Sequence, residues 1–126
     1  MTTVREKIIR DYIERYNQFD IESMVKHFHN EIVFENISNG EVNLSIKGKE
    51  AFITQAKLAA ACFSERNQVM KSIKFHDNEF TVEIDYSAIL AMDLPNGLKK
   101  GEELKLSGKS VFRFINNKII ALTDSS

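Results

Sequence analysis

Cysteine occurs once in these 126 residues, as Cys62, so the chain has neither a disulfide framework nor a thiolate metal site. Cys62 falls in the apolar run Leu58-Ala59-Ala60-Ala61-Cys62-Phe63, where it reads as a small core side chain. An excess of one charge is also missing. The 17 Lys and Arg are scattered among 18 Asp and Glu, which leaves no basic stripe of the kind a nucleic-acid surface requires. No apolar run is long enough to span a bilayer, and Met1 to Lys7 leads into a charged amphipathic helix without a signal core. A soluble protein of a reducing compartment, the cytoplasm, with no membrane partner is therefore expected. Glycines are few and dispersed over turns, so Gly48, Gly97, Gly101 and Gly108 build no phosphate-cradling loop and no nucleotide cofactor is indicated. His27 and His29 stand two apart on what reads as a helical stretch, which splays them, and neither they nor His76 completes a metal ligand set. Repeats, linkers and low-complexity tracts are absent too, and the length suits a single domain over residues 1–126.

What is present is an order of periods. Val4, Ile8, Tyr12 and Tyr16, widened by Ile9 and Ile13, mark an amphipathic first helix. Asp20 is suited to cap a second, in which Ile21, Met24, Val25 and Phe28 follow at helical spacing to about Asn30. Ile32 to Ile37 and the segment around Leu44 and Ile46, joined by Asn39-Gly40, form a hairpin pattern. A third helix opens after Gly48 with Phe52, Ala56, Ala59 and Phe63 on one side, and Ser64 to Asn67 as its polar exit. From Gln68 to Asp124 the period is two. Asp77-Asn78, Pro95-Asn96-Gly97 and Asn116-Asn117 supply the reversals, with a return strand from about Glu103 to Ile115 and a last strand from Lys118 to Asp124. Helices gathered ahead of one long antiparallel run indicate an α+β fold, with three N-terminal helices packed on a curved, mostly antiparallel sheet around a pocket.

The stretch from Asp11-Tyr12-Ile13-Glu14-Arg15-Tyr16 through Phe28 to Val33-Phe34-Glu35-Asn36 resembles the opening of the nuclear-transport-factor-2-like superfamily, whose cone is a cystatin-like fold. Gly48-Lys49-Glu50-Ala51-Phe52 resembles that group's third helix, and Gly108 to Phe114 with Asn117-Lys118-Ile119-Ile120 its terminal hairpin. The group includes ketosteroid isomerases, SnoaL-like polyketide cyclases, limonene-type epoxide hydrolases and non-catalytic members. Set against the isomerases, Tyr12 matches an oxyanion-binding tyrosine, while Asn36 replaces the general-base aspartate and Ser110 the neutral acid. Set against the epoxide hydrolases, Asp124 resembles the water-activating aspartate, Asn36 its asparagine and Asp85 the proton-donating aspartate. Phe34 stands where that family has a tyrosine, and Glu83 where it has a bridging arginine.

Strand parity leaves two arrangements open. If Asp85 points into the pocket, so do Thr81, Glu83 and Ser87, and Phe80, Val82, Ile84 and Tyr86 face outward, where a second copy of the chain must cover them. In the opposite register Phe80 to Tyr86 are core and Glu83 and Asp85 are solvated. Asp124 shares parity with Ile120 and Leu122 and so points inward if its strand stays regular; a frayed, solvated end is the alternative. The candidate catalytic set is Asp85, Asp124, Asn36 and Tyr12, with Tyr16, Phe34, Glu83, Ser110, Phe112 and Leu122 as candidate ligand-binding residues. The expectation is a pocket for a small apolar or amphipathic molecule with cofactor-free acid/base chemistry of isomerase, cyclase or hydrolase type, in a homodimer formed through the sheet face. A non-catalytic dimeric binding or interaction module is the rival reading.

Overall fold

A computed structural model describes residues 3–126. Helix α1 runs Val4–Asn17 and opens on a reciprocal-cap sequence, Thr3 to Glu6, in which the Thr3 hydroxyl accepts from the Glu6 amide. Its stripe buries Ile8, Ile9, Tyr12 and Ile13, while Val4 at the end of the stripe is exposed. Helix α2 is a single turn, Ile21–Met24, capped by the Asp20 carboxylate on the Ser23 amide. The expected continuation to Asn30 does not form. Strand β1 begins at Phe28 and runs to Ser38, because the backbone there is taken up by β6: the His27 carbonyl accepts from the Ile119 amide at 2.8 Å. His29 therefore lies on a strand rather than a helix.

Strand β2 (Glu41–Lys47) pairs antiparallel with β1, and α3 (Lys49–Ala60) follows Gly48. Strand β3 starts at Phe63, five residues before the expected Gln68, so the polar Ser64 to Asn67 segment is sheet and not a helix exit. Strands β4 (Glu79–Leu90), β5 (Glu103–Ile115) and β6 (Lys118–Ser125) complete a six-stranded sheet in the order β2-β1-β6-β5-β4-β3. All neighbours are antiparallel except β1 and β6, a parallel pair that brings the first and last strands side by side inside the sheet, one strand in from the β2 edge. Asn39, Asp77, Asn78, Asn116 and Asn117 take positive φ at the three tight turns, as primed hairpin turns demand.

The core lies between helices and sheet. Phe80, Val82 and Ile84 are buried there with Phe112, Phe114, Ile119 and Leu122 beneath α1 and α2. This decides the parity question against the inward reading of Asp85: the apolar face of β4 is the inner face, as burial of a half-covered antiparallel strand favours. The ground for covering Phe80 to Tyr86 with a second chain goes with it. Parity in β6 also differs from a regular strand, since a register shift at Arg113/Phe114 lets Ile119, rather than Ile120, turn inward ahead of Leu122 and Asp124.

Candidate functional site

Between the helices and the inner face of the sheet lies a cavity of about 370 Å³. Phe34, Leu44, Phe52, Phe63, Leu104 and Leu106 supply apolar wall; Tyr12, Tyr16, Tyr86, Asn36, Arg66 and Asp124 bring polar atoms to it. A narrower lobe of about 170 Å³ adjoins it, sharing Tyr16, Asn36, Tyr86, Leu106 and Asp124 and adding Gln68 and Ser110.

Asp124 sits near the end of β6, paired across the sheet with Asn36 on β1 and Ser110 on β5. The Ser110 hydroxyl donates to its Oδ1 at 2.6 Å. Burial in this apolar surrounding pushes the carboxyl up to about 6, against the smaller opposing pull of the Ser110 hydrogen bond. Asp124 is held in place by the residues beyond it: the Ser126 amide donates to the Ile37 carbonyl and the Asn39 amide to the Ser126 carbonyl. Gly108 makes this possible, because a Cβ there would stand 2.5 Å from the Ser125 carbonyl oxygen.

Tyr12 stacks on Phe28 and meets Phe112 edge-on, and its ring is almost wholly buried. Its hydroxyl has no hydrogen-bond partner among the described residues. Burial raises its pKa, the Asp124 charge raises it further and Arg66 opposes both. The Tyr16 hydroxyl donates to that of Tyr86 at 3.1 Å, and burial raises the pKa of both phenols. Asn36 faces the cavity, yet its amide donates to Asn43 at 2.9 Å rather than to Asp124.

Of the candidate residues, Asp124, Asn36, Tyr12, Tyr16 and Phe34 meet at the main cavity and Ser110 lines the narrow lobe. Asp85 and Glu83 do not. Both are exposed on the outer face of β4, where Asp85 accepts from the Ser107 hydroxyl and lies 3.8 Å from the Lys71 ammonium. Phe112 and Leu122 are fully buried under the cavity floor and do not line it. The sequence reading missed Arg66, which lay in the expected helix exit, and Tyr86, which was left either outward or in the core with Phe80 and never named as a site residue. Tyr86 was findable: it shares the parity of Ile84 on the apolar face. Among the described residues no group of three or more His, Cys, Asp or Glu could hold a metal ion.

The helix-backed sheet agrees with what the sequence matches. Residues 9–122 match the SnoaL-like domain. The chain belongs to that family. Solved structures similar to it include a candidate SnoaL-like polyketide cyclase from Jannaschia sp. CCS1, at 9% identity and a TM-score of 0.82 over 96% of this chain and 83% of that one. An uncharacterised cystatin-fold protein from Novosphingobium aromaticivorans aligns over 98% of both chains at 15% identity and a TM-score of 0.74. A Catenulispora acidiphila protein with a ketosteroid isomerase-like fold aligns at 10% identity and a TM-score of 0.76, over 94% of this SnoaL-like chain and 83% of the other. At such identities the likeness is one of fold. No curated protein sequence matches the chain.

Proposed function

We propose that this SnoaL-like protein takes a small apolar or amphipathic carbonyl compound into the cone cavity and that Asp124 moves one of its protons without a cofactor. The observation that carries the reading is the state of Asp124: a cavity-lining carboxyl, bonded to Ser110 and raised to about 6, is ionised at neutral pH and is a far better proton acceptor than an ordinary aspartate. In the proposed step the carboxylate takes a proton from the carbon next to the carbonyl, the electron pair moves onto oxygen as an enolate, and Asp124, now protonated, returns the proton to the same or another carbon. The Tyr12 hydroxyl, free of other partners, is placed to donate to the enolate oxygen. Asn36 cannot take a proton and serves as a polar contact.

The test is exchange of the α-protons of 2-tetralone in deuterated buffer, followed by NMR. The protein should accelerate exchange at pH 7 and Asp124→Asn should lose at least 10-fold of the acceleration. Equal rates for both would remove Asp124 from the chemistry. A second reading, a binding module without catalysis, draws on the place of Asp85: with it on the outer face, the cavity keeps one carboxylate and no acid partner for it. Binding of 2-tetralone without exchange favours that version. The lone Cys62 fits work in the cytoplasm. A homodimer across the outer face of the sheet is the proposed assembly, supported by the small half-buried patch of Thr81, Val111, Ala121 and Thr123 there.

A further inference from the structure

Among the described residues, Arg66 is the one buried charge whose own chemistry the proton-transfer reading leaves unused. It is 6% exposed, on the inner face of β3, and it lines the cavity. Its guanidinium lies over the Tyr16 ring at 3.7 Å and over the Phe19 ring at 4.5 Å, and its Nε donates to the Tyr16 carbonyl at 2.9 Å. Nη2 is buried with no hydrogen-bond partner, and among the described residues no carboxylate lies within ion-pair distance. Phe19 holds its place with a φ of 60°, a strained value for a bulky residue, so the aromatic sandwich is maintained at a conformational cost. Gln68, two residues along the same face, leaves its own Oε1 unsatisfied and does not pair with Arg66.

A buried guanidinium that cannot lose its proton and lacks a counter-ion is costly, and such a group is compensated when an anion arrives. The nearby Tyr86 hydroxyl accepts from Tyr16 and keeps its own proton to give. We infer that the ligand of this cavity is an organic acid, a flat apolar body carrying a carboxylate or comparably acidic group that pairs with the Arg66 guanidinium and accepts from the Tyr86 hydroxyl. The inference rests on the cavity reading of the preceding subsection and narrows it. Arg66 stands level with Ala88 and Leu104 in the sheet, and Asp124 level with Ser110, six residues along β5 from Leu104. The acid group is therefore bound at the opposite end of the cavity from the carboxylate that would repel it, and the rest of the molecule reaches toward Asp124.

The experiment compares 2-naphthoate with 2-naphthamide, equal in shape and different in charge, by calorimetric titration of the intact protein at pH 8. The acid should bind at least 10-fold tighter than the amide. In Arg66→Gln the preference should vanish. An amide bound as tightly as the acid by the unaltered protein overturns the inference and leaves the cavity reading standing, whereas binding of neither probe overturns both. Should the variant fail to fold, the comparison on the parent protein still decides.

Discussion

At the scale of single residues, Asp124 makes the clearest prediction because its sign is fixed. Its folded pKa, about 6, lies above the unfolded value of 3.8, so the native state holds the proton more tightly. Stability therefore falls as pH rises through that interval, by about 3 kcal/mol. Asp124→Asn keeps an oxygen to accept from Ser110 and has no charge to desolvate. Its melting temperature should exceed the parent's by several degrees at pH 8 and converge with it near pH 4. A constant difference across that range would mean that Asp124 is solvated. Tyr12→Phe should leave the melt within about 0.5 kcal/mol of the parent, since the hydroxyl it deletes has no protein partner, yet slow α-proton exchange about 10-fold or more. Equal exchange rates would reduce Tyr12 to a core residue. Sequence reasoning reached these two residues and not Arg66, because the polar run Ser64 to Asn67 reads as a helix exit and a cation on an inner strand face supplies no alternation to reveal the strand.

At the scale of elements, the turns were the most legible features. Asn-Gly, Asp-Asn and Asn-Asn pairs between alternating runs mark the tight hairpins because those residues tolerate positive φ. Less legible was where a short helix yields to a strand: Phe28 fits the helical spacing of Ile21, Met24 and Val25, and only pairing with a strand ninety residues away converts it. The reading of Asp85 failed for another reason. Likeness to a catalytic pattern was set against the plain burial preference of Phe80, Val82 and Ile84, and burial of three large side chains, about 1.5–3 kcal/mol each, outweighs anything one aspartate offers. Register also fixes the behaviour of β6. Gly108→Ala would drive a methyl group into the Ser125 carbonyl, part of a backbone tied to Ile37 and Asn39, so the strand end must shift. A loss of about 1–3 kcal/mol is expected, and the Asp124 carbon resonance should move with it. A melt unchanged from the parent would show that the chain end yields freely and does not position the acid.

At the scale of the molecule, the cone is a compromise between a filled core and an open mouth. Below α1 the inner face is packed with Phe28, Phe112, Phe114 and Leu122; beside α3 it is not, and Ala56 and Ala59 leave the volume that Phe52 and Phe63 partly close. Small residues on a helix over a sheet usually bring the two layers into contact. Here they border about 370 Å³ of space instead, which is stability forgone. Ala56→Leu should recover part of it: the added side chain enters the cavity against Phe52 without displacing backbone, and the melting temperature should rise by a few degrees. The same substitution should cost 2-naphthoate at least 10-fold in affinity, because it occupies the space the ring system needs. A rise in stability with affinity intact would place binding elsewhere on the molecule, and a fall in stability would mean that the space beside α3 is smaller than a leucine side chain requires.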